Sequence, residues 1–299
     1  VFELSSWRLS ALARIKKSPH IAVLTNIYPD HLNYYQTMEA YVADKKNILA
    51  FQQSKDLLVV NFDDATVRTL AQDARGTVIW FSQGGEIDGD GVWVRDKSIW
   101  IRKQGEEKEL LPLAQIPLVG AHNIANVLAA VAATLAAGLT WQQIVAGIRN
   151  FPGVPHRLEY VRERNGVRYY NDTAATIPEA AIAALRAFAD PVILIAGGSD
   201  KRLEFHLLAQ EILTRSKDVI FFKGEATDKL LQWIKSHLPE VEKDRVFEVV
   251  ETMEEAVALA SKKAAPGDVV LLSPGAASFG IFKNEFDRGE QFCKVVRAL

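Results

Sequence analysis

A single cysteine, Cys293, is all the thiol chemistry in this 299-residue chain. That excludes an internal disulfide and suits a reducing compartment. An excess of charge of one sign is missing too. Lys and Arg number 35 against 37 Asp and Glu, a net charge of −2, which argues against a broad nucleic-acid surface. The longest near-apolar stretch, Val127 to Leu139, is too short and too alanine-rich to cross a bilayer, so no membrane partner is expected. His20, His206 and His237 lack the spacing of metal ligands. No G-x-x-x-x-G-K-[ST] phosphate loop occurs, and Gly197-Gly198 falls short of a full G-x-G-x-x-G, so a dinucleotide site is not expected. Internal repeats and low-complexity segments are absent.

What is present suffices for two ordinary cores. Hydrophobic residues make up 48%, and the length suggests about two domains at roughly 150 residues each. The break falls at Phe151-Pro152-Gly153-Val154-Pro155, giving an expected division into 1–150 and 151–299. Before it, strand-like runs (Val1–Leu4, His20–Asn26, Leu57–Asn61) alternate with helical patterns at Ser10–Lys17 and from Thr37 to about Gln52. Thr77–Phe81, Gly91–Arg95 and Ser98–Arg102, punctuated by glycines, read as an antiparallel meander. A long helix follows Gly120, and Thr140 to Gln143 matches a capping box. Beyond the break, Asn165-Gly166 marks a hairpin. Repeated strand–helix units then imply a parallel sheet covered on both faces. The fold class is therefore α/β. The chain opens Val1-Phe2-Glu3 with no Met and no lead-in, which suggests a fragment.

The loops at strand ends hold Glu3, His31, Asp172, Gly197-Gly198 with Lys201, and Ser273-Pro274 with Ser278. Ligands of open α/β sheets gather there. Carboxylates and an imidazole for a metal, cations for anions, and small residues for close approach suit a phosphate-bearing substrate.

Eight stretches, in order, carry a resemblance. They are ELSS at 3–6, TNIYPDHL at 25–32, AYVADKKNIL at 40–49, GAHNIANVLAA at 120–130, PHRLEYV at 155–161, NDTAAT at 171–176, AGGSDK at 196–201 and LLSPGAASFGIFKNEFDRGEQF at 271–292. The chain resembles the Mur ligases, most of all those that add D-glutamate to a UDP-linked muramoyl substrate in peptidoglycan synthesis. The resemblance implies the later part of a central ATPase domain, a parallel sheet with helices plus a small antiparallel meander, followed by a Rossmann-like C-terminal domain. The family's UDP-binding domain and phosphate loop have no counterpart here, so this stretch alone is expected to be inactive. The cofactors implied are ATP and Mg²⁺, the setting the cytoplasm, and the assembly state a monomer.

Residue by residue, Glu3 and His31 resemble magnesium-binding residues, and Lys45 the lysine that is carbamylated to hold a second Mg²⁺, with Lys46 an alternative. Asn123 and Asn126 resemble adenine-side asparagines. His156 and Arg157 look like the pair near the ATP phosphates, and Asp172 like a nucleotide-contacting aspartate. Thr176, Lys201, Ser278 and Phe279 fall at positions like those holding D-glutamate. Ala174 stands where many relatives carry lysine, one cation fewer, which leaves another acceptor amino acid open. Taken alone, Glu3 reads as a surface carboxylate, His31 as a cap and Lys45 as a solvated lysine. The alternatives are a ligase of the same kind with a different acceptor, a folylpolyglutamate synthase-like ligase, or a catalytically incomplete binding module.

Overall fold

The structure, a computed structural model, describes residues 1–28, 32–238, 240, 243 and 246–299. The chain divides into two compact units, residues 1–117 with 121–151, and residues 118–120 with 152–299.

The first unit holds one six-stranded sheet whose spatial order follows the sequence: β1 (Ile21–Leu24), β2 (Leu57–Asn61), β3 (Thr77–Ser82), β4 (Gly91–Arg95), β5 (Ser98–Lys103) and β6 (Glu106–Pro112). The first four run parallel and the last two turn back antiparallel. The meander is therefore β4–β6, and β3 belongs to the parallel part, against the sequence reading. The glycines between β3 and β4 read as a hairpin turn. Their loop instead folds back along the sheet and buries Ile87, which brings Gly91 beside Trp80 and starts β4 in β3's own direction. Only glycine fits at 91, since a Cβ there would stand 2.4 Å from the Trp80 carbonyl oxygen.

Val1–Leu4 is not a strand, and α1 runs Ser6–Arg14 rather than from Ser10. The Ser5 hydroxyl accepts the Arg8 N–H and starts the helix early. The short helix α2 is Leu32–Tyr35, and α3 is Met38–Lys46, capped by Thr37. It stops before Gln52 because the chain tightens into turns: Ile48 and Leu49 donate three residues back, to Lys45 and Lys46. After α4 (Ala65–Ala71), α5 (Ala121–Ala136) packs across β1 to β4. The Thr140–Gln143 capping box opens α6 (Trp141–Asn150).

The second unit carries β7 (Glu159–Arg164), β8 (Val167–Asn171), α7 (Pro178–Arg186), β9 (Val192–Gly197), α8 (His206–Arg215), β10 (Ser216–Phe222), α9 (Glu225–His237), β11 (Glu248–Val250), α10 (Met253–Lys263), β12 (Val269–Leu272) and α11 (Glu285–Ala298). The sheet order is β11-β10-β9-β12-β8-β7, parallel except for β7. Asn165 (φ 53°) and Gly166 (φ 74°) form the left-handed two-residue turn between β7 and β8. Alternate residues of the apolar strands enter two cores. Leu194, Ala196, Phe221 and Leu271 meet α7, α8 and α9, while Ile193, Ile195, Ile220 and Leu272 meet α10 and α11. This is why β9 and β12 read as unbroken apolar runs. The chain reverses between β9 and β12, and the loops leaving their carboxyl ends flank that switch point.

Candidate functional site

In the second unit the parallel register places three loop starts side by side, because Leu272 pairs with both Asn171 and Ile195. Backbone hydrogen bonds lace these loops together. The Asp172 N–H donates to the Leu272 carbonyl at 2.7 Å, Gly197 to Pro274 at 2.8 Å and Gly275 to Ala175 at 2.9 Å. Ser199 and Ala277 exchange both N–H bonds, at 3.0 and 3.1 Å, and the Ser199 hydroxyl donates to the Phe279 carbonyl. Thr176, Lys201, Ser278 and Phe279 thus sit on three loops, with the loop after β12 bonded to the other two. Lys201 and Phe279 are exposed, Thr176 is half-buried and Ser278 is buried.

Arg288, which sequence reading did not single out, lies beneath these loops with 0% exposure. Its Nε donates to Thr173 Oγ1 at 2.9 Å, Nη2 to the Thr173 carbonyl at 3.0 Å and Nη1 to the Ala276 carbonyl at 3.2 Å. Its place in the KNEFDRG stretch follows from helix capping. Asn284 caps α11 by accepting the Asp287 N–H, and Asp287 in turn accepts from Lys283 N. Arg288 is then carried inward on the first turn.

The PHRLE turn stands on the end of β8. Asp172, 7% exposed, accepts from Leu158 N at 3.1 Å through Oδ1 and from the Ser273 hydroxyl at 2.7 Å through Oδ2. His156 is half-buried and Arg157 exposed. Cys293 is buried beside Asn171 and Glu159, and burial pushes its thiol up, so it is a protonated packing residue at neutral pH.

Burial also lifts Asp172 from the ordinary 3.8 to about 6, against the Ser273 and Leu158 hydrogen bonds and the Arg157 charge. The folded value exceeds the unfolded one. Between the two, the folded chain holds a proton that the unfolded chain has released, so this group's contribution falls as pH rises from 3.8 to about 6. Asp172→Asn keeps polar partners for Leu158 and Ser273 but removes the charge. It is expected to raise stability at neutral pH by about 1–3 kcal/mol, an advantage that vanishes in acid below the ordinary aspartate value. Urea midpoints of both forms at the two pH values check this.

In the first unit, Glu3 is exposed just ahead of α1, which packs against α3. On α3 the Lys45 ammonium lies over the Tyr41 ring at 5.4 Å, while Lys46 pairs with Asp73 at 2.6 Å. Tyr41 continues through Tyr35 to Trp7 on α1, and the Tyr35 hydroxyl donates to Asp44 at 3.0 Å. His31 lies outside the described residues. Asn123 and Asn126 occupy the first turns of α5, the Asn126 amide donating to Asn123 Oδ1 at 3.4 Å. Among the described residues no three histidine, cysteine, aspartate or glutamate side chains gather as a metal site. Nor is any described helix long and apolar enough to cross a membrane.

The Mur ligase middle domain family matches residues 1–134, and the family described as Mur ligase, glutamate ligase domain matches 156–275. All of this chain aligns with a UDP-N-acetylmuramoylalanine–D-glutamate ligase of Roseiflexus sp. at 44% identity, covering 65% of that relative. It likewise aligns in full with the enzyme of that name from Symbiobacterium thermophilum at 44% identity, covering 64% of it. The chain therefore spans a little under two thirds of the length of these curated relatives. Among solved structures, a MurF ligase from Thermotoga maritima in complex with ADP shares the fold. Its TM-score is 0.62 at 18% identity, over 99% of this chain and 66% of that one.

Proposed function

The chain belongs to the Mur ligase family, and we propose that the complete gene product is an ATP-dependent, ADP-forming ligase that adds D-glutamate to UDP-N-acetylmuramoyl-L-alanine. The observation that carries this reading is the 44% identity over the whole of both units to D-glutamate ligases. Residues 1–150 would be the later part of the central ATP-binding domain and 151–299 the C-terminal domain. The setting proposed is the cytoplasm, where ATP and a reducing environment coincide.

The chemistry has two steps. The muramoyl-peptide carboxylate attacks the γ-phosphate of ATP, giving an acyl phosphate and ADP. The amine of D-glutamate then attacks that carbonyl, loses its proton, and expels inorganic phosphate. Charge gathers on oxygen in both steps, so cations and aimed donors supply most of the stabilisation. Asn123 and Asn126, at the start of α5, are proposed to read the adenine, and exposed Arg157 to meet the phosphates with its planar fork. Asp172, with both oxygens already engaged, would hold the turn that carries Arg157 as well as face the nucleotide. Lys201 is proposed to pair with a D-glutamate carboxylate beside Thr176, Ser278 and Phe279.

Magnesium is proposed here from the chemistry of the donors alone: a carboxylate, an imidazole and a lysine carbamate. Glu3 is exposed next to the helix pair that carries Lys45, and Mg²⁺ is content with few protein ligands when phosphate oxygens and water complete its shell. Glu3, His31 and Lys45 as its carbamate would hold it. When bound, it neutralises phosphate charge. Lys45 is preferred over Lys46, which is already paired with Asp73.

The test is ligation by the complete gene product with ATP, Mg²⁺, UDP-N-acetylmuramoyl-L-alanine and, separately, D-glutamate, L-alanine, L-lysine and diaminopimelate. ADP release with D-glutamate alone is expected. Preference for another amino acid corrects the acceptor, and turnover with none sinks the assignment.

A further inference from the structure

Two residues bracketing Arg157 adopt left-handed backbone conformations that side chains other than glycine seldom take: His156 at φ 67° and Leu158 at φ 42°. Such a pair persists only where its surroundings hold it. Here the holders are visible. The Leu158 N–H goes to Asp172, and the Leu158 side chain is buried in the core shared with α7, α8 and α9. The His156 carbonyl accepts from Ala174 N at 3.1 Å. The His156 N–H goes to Glu159 Oε2 at 2.8 Å, and the same oxygen accepts from the Asn171 amide at 3.0 Å.

The imidazole is committed too. Its Nδ1 lies 3.0 Å from the fully buried Asn171 amide nitrogen. The ring meets the edge of Phe286 at 5.7 Å. It also fills the space above Gly289, where a Cβ would come within 2.5 Å of Nδ1. Glu159 thus holds the turn from below. Between His156 and Glu159, Arg157 alone is exposed.

We propose that Glu159, seated on Asn171, is a positioning residue for the ligase reaction: it fixes the strained His156 backbone so that Arg157 is presented to the phosphates of ATP. This rests on the ligase reading, in which Arg157 meets those phosphates. Sequence reading passed over Glu159 because it is simply the first residue of a strand. Its role appears only when the turn folds back over β8.

The experiment is steady-state kinetics of the complete gene product carrying Arg157→Ala, Glu159→Ala, both together, Glu159→Gln and Glu159→Asp. Glu159→Ala is expected to raise the KM for ATP by about 10-fold or more, as small displacements of a positioned group do, and to leave the KM for the amino acid within about twofold. The double variant should be no worse than Arg157→Ala, because Glu159 acts through Arg157. Glu159→Gln keeps an acceptor at the same reach and should restore most of the loss. Glu159→Asp withdraws the oxygen while keeping the charge and should show the same KM split, which covers the case where alanine prevents folding. Multiplying effects in the double variant, a glutamine variant as poor as alanine, or wild-type kinetics for the aspartate variant would each overturn the proposal. If Arg157→Ala leaves the ATP KM unchanged, the placement of Arg157 at the phosphates fails instead, and this inference with it.

Discussion

Replacing Arg288 with alanine is expected to destabilise the second unit by about 3–5 kcal/mol, among the largest effects of any single substitution in the chain. The guanidinium is fully buried, and burial pulls it down to about 10. It therefore stays charged at neutral pH, although none of its hydrogen bonds goes to a carboxylate. Holding a bare cation inside is unfavourable unless fixed dipoles replace its water. Thr173 Oγ1, the Thr173 carbonyl and the Ala276 carbonyl do so, and in return the fork ties the loop after β8 to the loop after β12. Alanine would leave three acceptors without a donor and a cavity the size of the lost side chain. Lysine keeps the charge but lacks the planar fork, so it should lose about 1–3 kcal/mol through the bonds it cannot make. Urea unfolding monitored by fluorescence reads both changes. A midpoint for the alanine variant within experimental scatter of wild type would contradict the account.

Gly198→Ala is expected to be nearly as damaging, at about 2–4 kcal/mol. Gly198 sits at φ 134°, a backbone conformation that side chains rarely adopt, and a Cβ there would stand 2.5 Å from the Ala277 carbonyl oxygen. That oxygen is the one that accepts the Ser199 N–H. The obstacle is backbone, not a flexible side chain, so relief requires parting the two loops that carry Lys201 and Ser278. The same variant in the complete gene product should weaken binding of the amino-acid substrate more than binding of ATP. Denaturant midpoints and the two KM values check the two halves of this expectation. Equal loss in both KM values would show that the loop pairing does not serve the amino acid.

Much of the second unit was legible in order. Asn165-Gly166 had to turn left-handed, and it does. The apolar runs at Val192–Ala196 and near Leu272 had to be strands buried on both faces, and their alternate residues enter two cores. Less of the first unit was legible. The opening residues read as a strand, but Ser5 is a helix cap. The glycines before Gly91 read as a hairpin, but Ile87 is buried and draws the loop back so that β3 and β4 run parallel. In the first case a cap three residues away chose the helix, and in the second the burial of Ile87 chose the path of the loop.

The candidate site divides in the same way. The sequence by itself determined which residue types lie at the strand ends: Asp172, the Gly197-Gly198 pair, Ser273 and the KNEFDRG helix start. Strand termini and caps are set by neighbours a few residues away. The tertiary structure alone decided what those residues do to one another. It showed that Gly198 lets two loops approach closely, that burial lifts Asp172 to about 6, and that Glu159, Asn171 and Arg288 hold the loops in place. These three are polar groups whose roles depend on burial and on hydrogen-bond partners more than a hundred residues away for Arg288. Burial and distant partners arise from how the strands are ordered in the sheet, and no spacing along the chain encodes that order.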